Sequence, residues 1–355
     1  MYFHMLFTPK KTLIIRNDKL GDFMLALPCL NLLRAGLPDC EIHVLVPKYT
    51  ESIALTFPAV DGVIIDPGDD ASFAQQRELF KEIKQQGYDA LLTLYSTPRI
   101  GLIGWRARIP YRIAPASGIA QVLYNHRLTQ RRSRSEKPEY IYNIDVGFQL
   151  LGDFGIHSTT LPTAPHLRFD DDEITTLRST FCAEHNIDAT HQLIFIHAGS
   201  GGSANNLNTD QYAEIAKRLR SHSGHTIVLS AGPGEEEGAA QVATKLNFDS
   251  DVPHTVYISR DGLPAFAKHI AFADLFISGS TGPLHIAGAL NCKTAAFYTR
   301  RRSATALRWQ TCNSGERRLA FSASEQAEAE DMSSVDIESA ATAINRQFLG
   351  PVATE

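Results

Sequence analysis

The chain has 355 residues, of which 43% are hydrophobic and 21% charged, and its formal net charge at pH 7 is −5. At roughly 150 residues per domain this length predicts two domains, and the composition is typical of a water-soluble globular protein. The negative charge argues against nucleic acid as the main partner. No apolar run reaches the roughly 18–20 residues that a membrane-spanning helix needs.

The N-terminus, MYFHMLFTPKK, lacks a basic start and a small-residue cleavage site, so we do not interpret it as a signal peptide. The cysteines are Cys29, Cys40, Cys182, Cys292 and Cys312. Their scattered positions and odd number argue against a disulfide framework and against a zinc knuckle. We therefore expect a cytoplasmic protein in a reducing compartment.

The first half alternates apolar segments typical of buried strands with longer segments of helical periodicity. The predicted strands are 12–16, 41–47, 60–67 and 88–95, and the predicted helices are 21–38 and 71–87. The polar, basic run from Asn125 to Tyr140 is interpreted as an exposed loop. Strands that alternate with helices indicate a parallel sheet with crossover helices.

After a linker around 155–170 the alternation begins again. The predicted strands are 192–199, 226–233, 255–259, 275–280 and 294–299, and helices are predicted between them, at 171–186 and at about 334–348. The predicted fold class is α/β: two Rossmann-like domains, 1–165 and 166–333, that face a central cleft, with residues 334–355 as a final helix. Ligands in such sheets bind beyond the carboxyl ends of the strands.

The first strand-to-helix junction contains a carboxylate, Asp22, directly after a glycine in the sequence IIRNDKLGDFMLALPCLNLL. An aspartate at this point has three possible roles. It can cap the helix, bind a metal ion, or act as a base at the mouth of a cleft.

Three junctions in the second half combine glycines with hydroxyl or carboxylate groups. They are HAGSGGSANN (197–206, with Ser200 and Gly201), SAGPGEEE (230–237, with Glu235) and SGSTGPLHIAGAL (278–290, with Ser280, Thr281 and Gly282). Helix N-termini present unsatisfied N–H groups and a partial positive charge, which suits a diphosphate. Each junction alone is also explained as an ordinary capped turn. Three of them in one domain favour phosphate binding.

Two further features could contact that phosphate. His285 lies one turn into the helix of the third junction, where a histidine on an apolar face is more often a core residue. Arg300, Arg301 and Arg302 come directly after a strand, where they would meet a leaving phosphate or form a solvated loop. No G-x-G-x-x-G follows the first strand and no Walker-type P-loop is present, so a dinucleotide oxidoreductase is disfavoured.

Between residues 90 and 140, nine basic residues stand against Glu136 and Glu139. The basic residues are Arg99, Arg106, Arg108, Arg112, Arg127, Arg131, Arg132, Arg134 and Lys137. This excess predicts a surface for an anionic partner, and a solvated loop is the alternative.

Four stretches taken together resemble the ADP-heptose:lipopolysaccharide heptosyltransferases, glycosyltransferase family nine. They are IIRNDKLGDFMLALPCL, HAGSGGSANNLNTDQYAEIAKRL, GPGEEE and STGPLHIAGAL. They follow the order of the family, and the similarity covers nearly the whole chain. The most specific marks are LGD before LP, and TGPLHIA.

The resemblance implies a GT-B fold with an N-terminal acceptor domain, a C-terminal nucleotide-sugar domain and a final helix that crosses back to the N-terminal domain. It implies an inverting transfer of heptose to an inner-core sugar of lipopolysaccharide, with ADP leaving and with neither a catalytic metal nor a bound cofactor. The catalytic base of the family lies in the GD motif, which matches Asp22 here.

The resemblance also implies roles for the other residues. Donor diphosphate contacts fall on Ser200, Gly201, Ser280, Thr281 and Gly282, and nucleotide contacts on Glu235 and Leu263, with His285 and Arg300–Arg302 as further donor contacts. The acceptor contacts are Lys19, Arg99, Arg106, Arg108 and Arg112. Because the acceptor is anionic and lipid-anchored, we expect a monomer that binds peripherally at the inner face of the inner membrane.

Two departures from the family pattern concern the donor. Many members have Asp where this chain has Ser280, and many have Lys or Arg near Asn205 and Asn206. A charge-assisted hydrogen bond of roughly 1.5–3 kcal/mol is therefore missing unless another group, such as the arginines at 300–302, replaces it. The alternatives left open are a GT-B protein that binds without turnover and a transferase that uses a different nucleotide sugar.

Overall fold

The computed structural model describes residues 8–157, 160–199, 205–249 and 251–350. The chain divides into two compact units. The first comprises Met1–Arg132 and Glu136–His166, and the second comprises Ser133–Ser135 and Leu167–Glu355. Among the described residues, no helix combines the length and the apolar character needed to cross a bilayer.

The first unit is built on a six-stranded sheet in which every strand pairs in parallel. Its strands are β1 (Lys11–Ile15), β2 (Glu41–Pro47), β3 (Gly62–Asp66), β4 (Ala90–Thr93), β5 (Tyr111–Pro115) and β6 (His126–Leu128), in the order β3-β2-β1-β4-β5-β6. Its helices are α1 (Leu20–Met24), α2 (Leu27–Gly36), α3 (Glu51–Ala54), α4 (Phe73–Gln86), α5 (Pro98–Arg106) and α6 (Glu139–Asp153). A 3₁₀ turn, Ile119–Leu123, connects β5 to β6.

The core of this unit lies between the sheet and the segments that cover it. Leu79 and Ile83 of α4 and Ile100 and Ile103 of α5 are buried in one cluster with apolar side chains of the strands. The strands are apolar almost throughout because helices cover parallel sheets on both faces. The predicted helix 21–38 is two helices, α1 and α2, because Pro28 in the first turn of α2 cannot continue the hydrogen bonding of α1.

The second unit repeats this plan. Its strands are β7 (Gln192–His197), β8 (His225–Ala231), β9 (His254–Ile258), β10 (Leu275–Gly279), β11 (Thr294–Tyr298) and β12 (Arg318–Ser322), all parallel, in the order β12-β11-β10-β7-β8-β9. Its helices are α7 (Asp171–Glu184), α8 (Thr209–Arg218), α9 (Glu236–Asp249), α10 (Gly262–Ala271), α11 (Gly282–Ala289), α12 (Ala306–Trp309) and α13 (Ile337–Ile344).

Both sheets have the same strand order when each is numbered from its own first strand, namely 3-2-1-4-5-6, which is the order of Rossmann folds. The order reverses between the first and fourth strands. Ile15 of β1 lies beside Thr93 of β4, and His197 of β7 lies beside Ser278 of β10. Ligands of such sheets bind at this reversal, beyond the carboxyl ends of the strands, so a ligand is expected at the loops after β1, β4, β7 and β10.

Helix α13 belongs to the segment 334–355, which the sequence predicts to cross back to the N-terminal domain, and that crossing stays a prediction. Ala340 and Ile344 of α13 are buried in the core cluster of the second unit. Just beyond the helix, the Asn345 side chain donates to the Arg218 carbonyl at 2.9 Å and accepts from the Arg220 N–H at 2.9 Å. The apolar face of α13 therefore packs within the second unit, against α8.

Helices α2 and α6 pack closely in the first unit, and glycine permits the approach. A Cβ at Gly147 would lie 2.9 Å from Cys29 Sγ and 3.2 Å from Leu32 Cδ2, whereas a Cβ at Gly152 of the same helix would meet nothing within 4 Å. The two glycines therefore differ in packing while they share the same helix.

We predict that Gly147→Ala lowers the free energy of unfolding by about 1–3 kcal/mol relative to Gly152→Ala, because the added methyl group overpacks the α2–α6 contact. Both changes gain about 1 kcal/mol of helix propensity, so their difference isolates the packing. Urea unfolding followed by circular dichroism measures it. Equal midpoints for the two variants would contradict the close packing of α2 against α6.

Candidate active site

Asp22 lies in the first turn of α1, just beyond the carboxyl end of β1. It does not cap the helix, since the N-cap residue is Lys19 and no side chain provides a capping bond. Its carboxylate Oδ1 instead accepts a hydrogen bond from Nη2 of Arg16, and the Asp22 side chain is 13% exposed. The carboxylate is thus fixed at the ligand-binding edge of the sheet and remains partly open to solvent.

Arg16 is the centre of a buried charge cluster. The guanidinium, 3% exposed, has Nε 3.0 Å from Asp18 Oδ1 and Nη1 2.9 Å from Glu139 Oε1, in addition to its bond to Asp22. Nη1 also donates to Asn143 Oδ1 at 3.3 Å. One buried cation therefore holds three carboxylates that come from the β1–α1 loop, α1 and α6.

Burial and charge act in opposite directions on this cluster. Burial opposes a charged guanidinium, but the carboxylates of Asp18, Asp22 and Glu139 outweigh it and raise the pKa of Arg16 above its ordinary value. Burial raises the pKa of Asp18 to about 7, with the Arg16 charge lowering it and the Asp22 charge adding to the rise. Asp18 is thus the cluster member that titrates near neutral pH.

Helix α6 closes the cluster from the other side. Glu139 Oε1 accepts from Arg132 Nη1 at 2.9 Å, and that arginine also donates to the Leu94 carbonyl at 3.0 Å. Asn143 donates to the Leu25 carbonyl between α1 and α2 at 3.0 Å. These bonds join α6, the loop after β4 and the α1–α2 segment, so the position of Asp22 depends on all three.

A second ion pair lies at the same edge of the sheet. Asp66, at the end of β3, accepts two hydrogen bonds from Arg99, at 2.9 and 2.7 Å, and one from Asn17. Burial by itself raises the pKa of Asp66, but the bonds from Arg99, Asn17 and the Gly68 N–H outweigh it, so the pKa lies below its ordinary value. Arg99 also contacts Asp69 at 2.5 Å, so two carboxylates already pair with its charge.

The other predicted acceptor residues are spread over the first unit. Lys19 is exposed beside Asp22. Arg106 is exposed at the end of α5, Arg108 is exposed just after it, and Arg112 lies near the start of β5. All three therefore belong to the amino edge of the sheet rather than to the edge that carries Asp22. The Arg112 side chain donates to the carbonyls of Leu123 and Ile109, which gives it a structural role.

In the second unit, the β10–α11 junction is a helix start capped by Thr281. The Thr281 hydroxyl is turned inward, where it accepts from the Leu284 N–H at 3.4 Å and contacts Ser278 Oγ at 3.1 Å. Gly282 occupies the first helical position, whose N–H has no partner within its own helix. Ser280 is partly exposed. The Thr281 hydroxyl is therefore used within the fold, as a helix cap.

Glu235 lies in the β8–α9 junction beside the end of β7. Its Oε2 accepts from the Gly232 N–H at 3.2 Å and lies 3.3 Å from Nε2 of the buried His197. A Cβ at Gly199 would lie 2.3 Å from the Glu235 carboxyl carbon, so only glycine at position 199 allows this approach. Glu235 is thus oriented at the carboxyl ends of β7 and β8.

The neighbouring loops are joined through Asn206. Its amide donates to the Ala198 carbonyl at 3.1 Å, and its Oδ1 accepts from the Leu207 N–H at 2.9 Å and from the Tyr212 hydroxyl. The Tyr212 hydroxyl in turn accepts from the Gly279 N–H at 2.9 Å. Asn206 therefore serves to connect the β7 and β10 loops.

The remaining predicted donor residues divide into buried and exposed positions. His285 is a buried residue of α11 with 3% of its surface exposed. Burial lowers its pKa to about 4, so the ring is neutral at pH 7. Arg300 donates to the Ala327 carbonyl at 2.7 Å, whereas Arg301 and Arg302 are exposed at the carboxyl end of β11. Leu263 is half-buried at the start of α10.

The predicted diphosphate contacts Ser200 and Gly201 lie outside the described residues. Within the described ranges, no group of three or more His, Cys, Asp and Glu side chains could hold a metal ion. The residues that sequence reasoning missed are Arg16, Asp18, Glu139, Arg132 and Asp66. A signal for the first two was present, since charged residues directly follow a fully apolar strand in IIRND.

Comparison with known proteins now gives the family. The sequence profile described as "Glycosyltransferase family 9 (heptosyltransferase)" matches residues 76–335. The chain belongs to glycosyltransferase family 9. The predicted family is therefore confirmed, although the Asp22 segment lies before the matched range.

Three relatives show how far the similarity extends. A Haemophilus influenzae protein named "Putative glycosyltransferase" is 42% identical over 88% of this chain and 89% of its own length. Lipopolysaccharide heptosyltransferase 2 of Salmonella typhimurium is 23% identical over 81% of this chain and 82% of its own. The solved structure of Escherichia coli ADP-heptose lipopolysaccharide heptosyltransferase II has a TM-score of 0.74 at 18% identity, covering 96% of this chain and 98% of that one. The predicted fold class, α/β with two Rossmann-like units of the GT-B kind, is confirmed.

The raised pKa of Asp18 predicts a pH-dependent contribution to stability. The pKa of this carboxyl group is higher in the folded than in the unfolded protein. The group therefore contributes fully to the free energy of unfolding at pH values below its unfolded-state pKa, and this contribution is lost as the pH rises to about 7. The stability of Asp18→Asn relative to wild type should therefore increase from pH 5 to pH 7, by up to roughly 1 kcal/mol per pH unit.

Urea midpoints at several pH values measure this difference. Asp39→Asn serves as the control because Asp39 is exposed in the α2–β2 turn, so its difference from wild type should show no such slope. A flat difference for Asp18→Asn would mean that Asp18 stays ionised beside Arg16.

Proposed function

We propose that this family 9 glycosyltransferase transfers heptose, or a closely related sugar, from ADP-heptose to an inner-core lipopolysaccharide acceptor with inversion, and that Asp22 is the general base. The observation that carries the proposal is the Arg16–Asp22 pair at the carboxyl end of β1. It presents a partly exposed carboxylate with a fixed orientation at the strand-order reversal where ligands of Rossmann sheets bind.

In the proposed reaction, the acceptor hydroxyl oxygen attacks the anomeric carbon of the donor sugar from the side opposite the diphosphate. The bond between that carbon and the diphosphate oxygen breaks, ADP leaves with the electron pair, and the hydroxyl proton passes to Asp22. Oδ1 of Asp22 is bonded to Arg16, so Oδ2 is the oxygen we assign to the proton. General-base catalysis of this kind contributes typically 10²–10⁴-fold.

Arg16 acts through Asp22 in this proposal. An adjacent guanidinium fixes the orientation of the carboxylate, so the base is positioned before the acceptor binds. The competing carboxylates, Asp18 and Glu139, contact the same guanidinium through other nitrogen atoms. The Arg16 guanidinium therefore contacts all three carboxylates at once, and its contact with Asp22 is kept.

For the donor, we propose that the backbone N–H groups of the β10–α11 turn, with Ser280, Thr281 and Gly282, bind the diphosphate, and that Ser200 and Gly201 add to them. A helix N-terminus stabilises the charge that develops on the departing diphosphate. Glu235 is proposed to bind the ribose hydroxyls, supported by its orientation by Gly232 and His197. No step in this scheme needs a metal ion.

For the acceptor, we propose that the exposed Lys19 beside Asp22 contacts an anionic group of the inner core. Arg99 forms an ion pair with Asp66, so we assign it a structural role at this edge of the sheet and not a direct contact with the acceptor. Because the proposed acceptor is lipid-anchored, the protein would act at the inner face of the inner membrane.

A second candidate is a transferase of the same family that uses a different nucleotide sugar. It is favoured by Ser280, a short neutral residue where many members carry Asp, and by Asn206, which is occupied in joining two loops. A panel of ADP-, UDP- and GDP-sugars tested by calorimetry distinguishes the two candidates. Binding of ADP-heptose alone supports the first, and binding of another nucleotide sugar alone supports the second.

Asp22→Asn is expected to lower turnover about 10²-fold or more, because the amide cannot accept the proton. The measurement is ADP release from ADP-heptose in the presence of a deacylated inner-core acceptor. Asp39→Asn, an exposed aspartate away from the cluster, should retain wild-type turnover. Affinity for ADP should be unchanged in both variants, which controls for folding.

Two results would overturn these assignments. Turnover of Asp22→Asn within a few-fold of wild type would remove Asp22 as the base. Wild-type protein that binds ADP-heptose but releases no ADP with any acceptor would favour a binding protein over a transferase.

Glu235→Gln is expected to weaken ADP binding by about 10-fold or more, since a hydrogen bond to a charged group contributes roughly 1.5–3 kcal/mol. Glu237→Gln is the matched control, because Glu237 is an exposed carboxylate two residues further along, in the first turn of α9. Calorimetric titration with ADP compares them. Equal affinities for the two variants would exclude a ribose contact by Glu235.

A further inference from the structure

A long segment of the first unit contains no acidic residue. From Ala90 to Ser135 there is neither Asp nor Glu, while the segment contains eight arginines. It contributes +8 to a chain whose net charge is −5, which leaves −13 for all other residues. So strong a separation of charge within one chain indicates a partner surface of negative charge.

Besides Tyr95 after β4, four large apolar side chains of the same segment are exposed on two adjoining elements. Leu102 and Trp105 of α5 are 41% and 55% exposed, and Ile119 and Val122 of the 3₁₀ turn are 78% and 71% exposed. In both pairs the residues are three apart, so each pair lies on one side of its own helical turn. Single exposed apolar residues are ordinary, but a group of four on adjoining elements indicates an interaction site.

The two elements pack directly on each other. A Cβ at Gly101 of α5 would lie 2.9 Å from Leu123 Cδ1 and 3.2 Å from a ring carbon of Tyr124, so glycine permits their close contact. Their inner side chains, Ile100 and Ile103 among them, are buried against the sheet. The outward side chains of α5 and the 3₁₀ turn therefore form one surface, which we call the α5 surface: Leu102, Trp105, Ile119 and Val122.

Six of the eight arginines of the segment fall into two groups. Arg99 and Arg132 pair with carboxylates and Arg112 bonds to backbone carbonyls, so their donors are used within the fold. Arg106, Arg108 and Arg127 are exposed, and among the described residues none of the three is in an ion pair. These three lie at the end of α5, just after it, and on β6, the strand that follows the 3₁₀ turn.

We propose that the α5 surface, with Arg106, Arg108 and Arg127, docks the protein onto a bilayer that contains anionic phospholipid. The inference deepens the proposed function and rests on it for the reason that a lipid-anchored acceptor lies at such a bilayer. Tryptophan and aliphatic side chains enter the headgroup–acyl boundary, and the arginines bind phosphate groups above it. The nine-residue α5 lies along the bilayer rather than across it.

This assignment changes the role predicted for Arg106 and Arg108. At the amino edge of the sheet they lie away from Asp22, so they serve the lipid surface and not the sugar that reacts. Each cation near an anionic bilayer contributes about fivefold to the partition coefficient, and each buried large apolar side chain on the order of tenfold. Together they would give a reversible association that weakens as salt increases.

Vesicle sedimentation tests the proposal with the full chain and without any sugar substrate. Wild type should bind vesicles of phosphatidylethanolamine with phosphatidylglycerol and bind phosphatidylcholine vesicles far more weakly. Trp105→Ala combined with Val122→Ser should lower the partition coefficient by on the order of tenfold or more. Arg106→Glu combined with Arg127→Glu should remove the dependence on phosphatidylglycerol.

The matched control is Phe248→Ser. Phe248 is 88% exposed on α9 of the second unit, more than any residue of the α5 surface, so a general effect of exposed apolar groups would appear there too. Its variant should bind vesicles as wild type does. Equal loss in Phe248→Ser and in the α5-surface variant would overturn the proposal.

A second measurement leaves the α5 surface intact. The chain has two tryptophans, so Trp309→Phe leaves Trp105 as the one fluorophore of its kind. On addition of the anionic vesicles its emission should shift to the blue and be quenched by brominated lipid. An unchanged spectrum would contradict insertion. A dimer seen by light scattering that dissociates in Trp105→Ala would instead assign the surface to a second copy.

The proposed docking surface and the proposed transferase activity can be tested independently of each other. The apolar variants should retain ADP release with a deacylated, water-soluble acceptor while they lose vesicle binding. Vesicle binding without any turnover would leave the docking surface standing and reject the proposed function. If the wild type turned over substrate but did not bind vesicles, the docking surface would be rejected and the proposed function would be retained.

Discussion

The arrangement of the first unit around Asp22 depends on one buried cation. Arg16 leaves the end of β1 and contacts Asp18, Asp22 and Glu139, so its charge holds together segments that are more than one hundred residues apart in sequence. A buried guanidinium is tolerated only when carboxylates surround it, and a carboxylate is retained there only while the guanidinium is present. Removing Arg16 would leave three carboxylates close together at one edge of the sheet without a cation between them. The same substitution would therefore disturb both the candidate base and the fold around it.

The two units apply one topological rule to two different tasks. In both, the strand order reverses between the first and fourth strands, and the loops at that reversal carry the candidate site. In the first unit the junction is filled by charged side chains that fix one carboxylate. In the second unit it is lined by glycines and by the backbone of a helix start, as at Gly199 and Gly282, which suits an anion. The same scaffold thus positions a candidate base in one unit and candidate donors to a phosphate in the other.

The sequence predicted the alternation of strands and helices because parallel strands are apolar throughout and their helices have a clear period. It did not predict β5, β6 or β12. Arginines and prolines interrupt the apolar pattern around β5 and β6, and β12 begins at the second of two adjacent arginines and has only five residues of mixed character. For the site, Asp22 was apparent from its place after a glycine. Glu139 was not, because an acidic residue in a basic run shows no sign that it is buried against Arg16 more than 120 positions away.

Strand β6 has a consequence for how the protein behaves at high local concentration. It is the outermost strand of its sheet, it is three residues long, and its middle residue is the exposed Arg127. Unpaired strand edges invite a second chain to extend the sheet, and short length and positive charge are two ways in which proteins prevent this. Molecules gathered side by side on one surface would therefore repel at this edge and remain separate, instead of joining into a continuous sheet that buries the sites they carry.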